Sequence, residues 1–300
     1  MKNMMKRFFV LSSLFVLWGG FISSPVETFA AKETENITDT KLRVMSFNLR
    51  YLNDFDPSPH TWEERRSTIR QVIRKEQPDI IGTQEAVYEQ VKDVAADLPN
   101  YEWIGQGREG GNEGEFMSIF YNENRFTPLE YDHFWLSDTP DVVGSMSWGN
   151  TIPRMVTWVK FLDERSGEEF YFVNTHFDHM SEEAREKSAA LISEKVKEFN
   201  QDLPVILTGD FNAGPDSEPY QILIEQGGFT DTWTAAETRI NDGFGTFTGF
   251  EDATGGGADN RIDWILSKGN VITETSEIIT YQKNGQYPSD HYPVMSDMIF

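Results

Sequence analysis

The sequence predicts an α/β domain in which two mixed β-sheets pack face to face with helices on their outer sides. Strand signals outnumber helix signals along the chain, and some strands are joined by short hairpin loops while others are separated by amphipathic helices. The 300 residues are 38% hydrophobic and 13% aromatic, enough to bury one sizeable core. Strand order is left open by the element count alone.

In chain order, residues 42–49 (LRVMSFNL) alternate as a strand with a buried face does, and Asn48 stands at the end. Thr61 and Glu64 have capping-box spacing, and Ile69, Val72 and Ile73 repeat at helical intervals until Pro78. A strand at 79–83 and a helix at 87–98, stopped by Pro99, follow. Strands are expected at 117–121, 155–162 and 170–175, the last two joined by Asp163-Glu164-Arg165-Ser166-Gly167. The stretch 134–150, with Trp135, Asp138, Asp141 and Trp148, reads as a long surface loop. Residues 181–200 carry the strongest helix signal, with Ala184, Leu191, Val196 and Phe199 toward one side. Val205-Ile206-Leu207 is a buried strand running into Gly209-Asp210-Phe211-Asn212, and further strands are expected at 262–266, 271–281 and 294–300. No repeat or linker interrupts residues 42–300, so one domain is expected there.

Residues 1–30 read as a secretory signal: Lys2, Lys6 and Arg7 precede an apolar run of 14 residues, 8–21, and Thr28-Phe29-Ala30 places small residues for cleavage. The run is short of the ~20 residues a spanning helix needs. A polar spacer, 31–41, follows. The expected product is secreted and extracellular, monomeric, and not inserted in a membrane once the signal is removed. The absence of cysteine excludes disulfides, zinc-thiolate sites and a thiol nucleophile. It also suits the outside of a one-membrane bacterium. Net charge is -23, and removal of 1–30 (three basic residues, one acidic) brings it to -25. Such a chain repels polyanions and is not a basic nucleic-acid-binding module.

The polar residues at the strand ends carry the functional information. Asn48, Glu85, His176, Asp210 with Asn212, and Asp290-His291 each end or adjoin a strand, and Asp263 lies within one. Gathered at one rim, they make four carboxylates, two imidazoles and two amides. That set suits metal-assisted attack of water on a phosphoester. A phosphodiester repels hydroxide, and a hard divalent cation neutralises the phosphate and stabilises the leaving oxygen. Mg²⁺ needs only one or two protein carboxylates, with Mn²⁺ or Ca²⁺ as alternatives. A carboxylate-held imidazole can take the proton of the attacking water, with Asp263 or Asp290 orienting His291. His176 and Asn212 can donate to phosphate oxygens. Asp263, between Ile262 and Trp264, is costly to bury unless paired or coordinated. Each residue alone also fits a turn, a cap or a structural role; the combination carries the reading.

In sequence and in order, residues 42–49 with Asn48, PDIIGTQE ending at Glu85, Asn174-Thr175-His176, Gly209-Asp210-Phe211-Asn212, Arg261-Ile262-Asp263 and Ser289-Asp290-His291 resemble the endonuclease/exonuclease/phosphatase (DNase I-like) superfamily over 42–300. The resemblance implies a four-layered α/β sandwich with the site at one end. It implies Glu85 as main Mg²⁺ ligand, Asn48 in the metal and phosphate site, and Asp290 near the metal. It further implies Asp210 orienting or activating water, Asn212 placing the phosphate, His176 stabilising the transition state, and His291 as general base held by Asp263. Arg154, His179 and Arg185 are candidate substrate contacts. The motifs mark shared chemistry and do not choose a substrate. A secreted phosphoesterase acting on a small or envelope-derived phosphodiester or phosphomonoester is expected; an extracellular nuclease with the same site is the alternative, and a non-catalytic binding module a remote one. Specificity is expected to lie in 134–150 and in the glycine-rich segment 242–260.

Overall fold

The computed structural model describes residues 41–300, so the expected signal (1–30) and all of the expected spacer except Lys41 lie outside the described residues. In chain order the main elements are β1 (Lys41–Asn48), α1 (Trp62–Glu76), β2 (Ile80–Gln84), α2 (Tyr88–Asp97), β3 (Tyr101–Ile104), β4 (Ile119–Asn122) and β5 (Phe126–Trp135). They continue with β6 (Met155–Asp163), β7 (Glu169–His176), α3 (Glu182–Lys195), β8 (Val205–Asp210), α4 (Glu218–Gln221), β9 (Thr230–Asp231), α5 (Thr232–Ala235), β10 (Thr238–Ile240), β11 (Asp263–Lys268), β12 (Ile272–Ile278) and β13 (Val294–Ile299).

Two mixed sheets result, as expected. One has seven strands in the order β10-β12-β13-β1-β2-β4-β3, the other six in the order β5-β6-β7-β8-β11-β9. Each contains one parallel pair joined through a helix: β1 and β2 through α1, β7 and β8 through α3. The carboxyl ends of both pairs open at the same edge of the sandwich.

Strand alternation builds the layers. In β1, Leu42 and Val44 join Ile80, Phe170, Phe172, Ile206, Ile265 and Val294 between the sheets. Met45, Phe47 and Leu49 face the other way, against Ile69, Val72 and Ile73 of α1 and Val91 and Val94 of α2. On the far side, Val173, Leu207, Trp264 and Leu266 pack on Ala189 and Ile192 of α3. These central strands are therefore largely apolar on both faces, and each fully buried aliphatic or aromatic side chain contributes about 1.5–3 kcal/mol.

Between the sheets the inward-facing row becomes polar toward the open edge. Asn174 Oδ1 accepts from Gln84 Nε2 at 2.8 Å and Thr208 Oγ1 at 3.1 Å, while its Nδ2 donates to the carbonyls of Thr83 (2.8 Å) and Ser118 (3.0 Å). This fully buried amide ties one sheet to the other. Gly82 makes room for it, since a Cβ there would collide with Thr208 Oγ1 and come within 2.7 Å of Asn174 Oδ1. The opposite end is held by Arg125, which pairs with Asp163 at 2.6 Å and Asp79 at 2.8 Å.

Several local expectations are corrected. Thr61 and Glu64 form no capping box: the Thr61 hydroxyl donates to the Glu64 carboxylate at 3.0 Å and accepts nothing from the backbone. A side-chain cap does open α3, where Ser181 Oγ accepts from Ala184 N at 3.2 Å. α3 ends at Lys195 and tightens into a 3₁₀ turn, Val196–Glu198; Ala184 and Val196 are buried, Leu191 and Phe199 pack partly buried against the core, and Ala189 and Ile192 are buried there as well. Phe134 and Trp135 belong to β5, an edge strand whose exposed outer residues and Pro128 hid it from a pattern search. β3, β9 and β10 were likewise unanticipated, being short or half-exposed.

Replacing Asn174 with Leu removes the four hydrogen bonds that join Gln84, Thr208, Thr83 and Ser118 through this amide, although the Ser118 carbonyl keeps Thr83 N and Oγ1. A loss of about 3 kcal/mol is expected, an unfolding midpoint lowered by roughly 6–12 °C in a thermal melt.

Candidate functional site

The inward row of each central strand ends in a chemically active group. In β1 the row 42, 44, 46 ends at Asn48; in β7 the row 170, 172, 174 ends at His176; in β8 the row 206, 208 ends at Asp210. β11 runs antiparallel to β8 and pairs Asp263 with Asp210, so Asp263 arrives at the same edge from its own start. Glu85 follows β2 with φ 68°, Arg50 follows β1 with φ 56°, and Asn212 follows β8 with φ 50°. Three non-glycine residues in the left-handed region mark sharp exits from these strands. Two are held by short side chains: Asn48 Oδ1 accepts from Arg50 N, and Asp210 Oδ1 from Asn212 N, both at 2.9 Å.

These exits enclose a cavity of about 550 Å³. Asn48 is its hub: Nδ2 donates to Glu85 Oε1 and Asp210 Oδ2, both at 2.9 Å, and lies 3.4 Å from His291 Nε2. The other Glu85 oxygen accepts from Tyr51 N at 3.1 Å. Asp263 Oδ2 is 2.8 Å from His291 Nδ1, so Asp263, and not Asp290, orients that ring. Its buried carboxylate is thereby paired, as its position required. Asn212 Nδ2 donates to the Phe177 carbonyl at 3.1 Å, which fixes the amide; it then donates to His176 Nε2 at 2.9 Å, leaving the ring proton on Nδ1. His176 Nδ1 is buried without a partner.

Charge is under strain here. Burial and the neighbouring Asp263 push the Asp210 carboxyl up to about 7. Burial also raises Asp290, with the nearby Glu85 adding to it. Burial favours the neutral form of His291, yet Asp263 and Asp210 outweigh it and hold its proton well above the ordinary imidazole range. His176 moves the other way, well below that range, through burial and the positive charges of Arg154 and Arg108. One ring holds its proton and the other stays neutral.

Ligand atoms of Glu85, Asp210 and His291 lie within 4.8 Å of one another. Hard carboxylate oxygens crowded in a buried site fit a small divalent cation, which relieves the repulsion that raises Asp210. Asp290 lies beside that group, with Oδ2 3.7 Å from Arg50 Nη1.

Glu85, His176, Asp210, Asn212, Asp290 and His291 line the cavity, with Asn48 and Asp263 beneath. Arg154 and His179 also line it, with Arg154 Nη2 3.0 Å from His179 Nδ1. Arg185 is outside the lining; its guanidinium donates to the Asp178 carbonyl at 2.9 Å and steadies the turn before α3. Arg50, Tyr51, Arg108, Glu115, Ile152, Ile262 and Phe247 were not anticipated as lining residues. Phe247, 42% exposed, stands edge-on to His291 with ring centres 5.0 Å apart. It comes from the segment 242–260 expected to shape specificity. Arg108 and Glu115 sit on irregular loops with no motif around them.

The pattern of the Endonuclease/Exonuclease/phosphatase family matches residues 45–291. The mannosyl-6-phosphatase of Bacteroides thetaiotaomicron is 36% identical, superposes with a TM-score of 0.81, and aligns over 86% of this chain and 100% of that one. A family protein of Bacteroides vulgatus gives the same identity and TM-score over 86% and 98%. Among curated proteins, an uncharacterized mimivirus protein of Acanthamoeba polyphaga mimivirus, L388, is 36% identical over 55% of this chain and 65% of its own length. Protein angel of Drosophila melanogaster is 24% identical over 71% and 65%. The chain thus spans about two thirds of the length of these curated relatives. On the match across most of its length, the chain belongs to the endonuclease/exonuclease/phosphatase family.

Proposed function

We propose that the chain is a secreted, divalent-metal-dependent phosphoesterase that hydrolyses a small or envelope-derived phosphoester. The observation that carries it is the Asp263–His291 pair set against the Glu85–Asp210 carboxylates in one cavity. The enclosed volume of about 550 Å³ suits a small molecule better than a polymer. The likeness to a mannosyl-6-phosphatase supports the same choice. Export rests on residues 1–30 alone; among the described residues no helix is long and apolar enough to cross a membrane.

Glu85 and Asp210 would hold the cation, braced by the Asn48 amide that touches both. Mg²⁺ is the expected ion, and when bound it neutralises phosphate charge and stabilises the leaving oxygen. His291 Nε2 faces the cavity and takes the proton of the attacking water, while Asp263 fixes Nδ1 and stabilises the imidazolium. His176 stays neutral and offers its Nδ1 proton to a phosphate oxygen. Asn212 holds that tautomer by donating to Nε2.

EDTA should abolish hydrolysis of bis(p-nitrophenyl) phosphate or p-nitrophenyl phosphate, and added Mg²⁺ should restore it. His291→Ala should lower kcat by about 10²–10⁴-fold with the fold intact. Cleavage of plasmid DNA or RNA at low enzyme concentration, with small esters untouched and activity falling steeply as salt rises, would replace this reading with the nuclease.

The pH profile supplies a second check. A base whose pKa is raised in the folded protein is competent only above that value. Asp263→Asn removes the carboxylate that raises His291, so the acidic limb of kcat/KM should move to lower pH while the plateau falls. A limb that stays in place would remove His291 from the role of base.

A further inference from the structure

One wall of the cavity holds more hydrogen-bond donors than its neighbours use. Arg108 and Arg154 are 7% and 3% exposed, and both line the cavity. Arg108 commits Nη1 to Glu115 Oε2 at 2.6 Å, and its buried Nε has no partner. Arg154 commits Nη2 to His179; its Nε lies 3.6 Å from Asp178 Oδ2, and neither Nε nor Nη1 makes a hydrogen bond. The His176 Nδ1 proton is unpartnered too, and the charges of both arginines reach that ring. Of the other buried arginines, Arg65 and Arg125 show the contrast, whereas Arg261, outside the cavity lining, also leaves Nη1 without a partner. Arg65 donates to the carbonyls of Leu49, Arg50, His60 and Pro288, and Arg125 to Asp79, Asp163 and the Lys41 carbonyl. No nitrogen of either is left over. Buried guanidinium N–H groups without partners are costly, so side chains that bring them to the wall of a cavity are matched to an anion that enters it.

The charge of that anion follows from the donors. A phosphodiester brings one negative charge and two non-bridging oxygens. A phosphomonoester at neutral pH brings a charge of about -1.5 to -2 and three terminal oxygens. Arg108, Arg154 and His176 line the same cavity as Glu85 and Asp210, the residues that would hold a cation. To these N–H groups a diester offers one terminal oxygen fewer and less negative charge than a monoester.

We propose that Arg108 and Arg154, together with the His176 Nδ1 proton, form an anion wall that selects a doubly charged phosphomonoester over a diester. Glu115 is the counter-carboxylate that aligns Arg108. The proposal rests on the phosphoesterase reading and narrows its substrate class.

The test compares the wild-type full chain with Arg154→Gln and with the double variant Arg108→Gln/Glu115→Gln, which leaves no carboxylate orphaned. With Mg²⁺ present, kcat/KM is measured on p-nitrophenyl phosphate and on bis(p-nitrophenyl) phosphate. The monoester-to-diester ratio should fall by about tenfold or more in each variant, whereas a ratio kept within about threefold overturns the wall. Arg154→Lys, which keeps the charge and loses the planar fork, should give an intermediate ratio and serves if Arg154→Gln does not fold. Calorimetric titration with inorganic phosphate reads the wall without turnover: affinity should drop by about tenfold in Arg154→Gln. If wild type cleaves neither ester, the phosphoesterase reading fails and this titration alone decides. Phosphate bound by wild type and lost in the variant upholds the wall; equal binding, or none by wild type, overturns it.

Discussion

The two-residue period of a β-strand governs this molecule. It sends every second side chain of β1, β2, β7, β8 and β11 into the layer between the sheets, and the sequence changes the chemistry of that layer along its length. At the closed end the layer is apolar, with Leu42, Ile80, Phe170 and Ile206. At mid-length it is neutral and polar, with Thr208, Gln84 and Asn174 satisfying one another across the gap. At the open edge it is ionisable, with His176, Asp210 and Asp263. A slip of one residue in any of these strands would turn its functional group toward the helices and its apolar residues toward the cavity. The register that packs the core is thus the register that assembles the site.

That arrangement explains how so much charge is buried in one place. Asn48, Asp210 and Asp263 are held on the ends of paired strands, the most constrained backbone in the domain, and cannot move apart to relieve repulsion. The stress appears as an Asp210 carboxyl raised to about 7 and a His291 ring that keeps its proton. Glu115, raised to about 7 by burial and by Glu85, belongs to the same system. A cation held by Glu85 and Asp210 would relieve this stress. Charge strain of this kind marks a candidate binding site for ligands of complementary charge.

The strand-end residues were legible because each sits at the end of a short strand with an apolar stretch, where an ionisable or amide side chain stands out. Asp263 was legible for a sharper reason, since a carboxylate flanked by Ile262 and Trp264 demands a partner. Arg108, Glu115 and Phe247 were not, because they lie on loops that reach the cavity through tertiary packing, and loop sequence carries no period. Arg185 shows the converse: named as a candidate substrate contact, it donates instead to the Asp178 carbonyl, a structural task. Thr61 and Glu64 show that spacing alone does not make a cap, since the two side chains bond each other first.

The acidity of the chain and the basic wall of its cavity belong to one selection. Counting from Ala31, the chain carries a net charge of -25, which repels an extended polyanion at every approach. Arg50, Arg108 and Arg154 are the arginines lining the cavity, and Arg50 is already paired with Asp56 at 2.9 Å. Arg108 is paired with Glu115 at 2.6 Å and Arg154 has Nε 3.6 Å from Asp178 Oδ2, and Phe247 lies on the same lining. A small phosphoester can pass the acidic surface, whose long-range field is screened within about 8 Å at physiological salt, and meet those guanidiniums inside. A polymer would keep most of its phosphates outside, against the acidic exterior. Repulsion outside and attraction within a cavity of about 550 Å³ favour a compact anion over a long one before any chemistry begins.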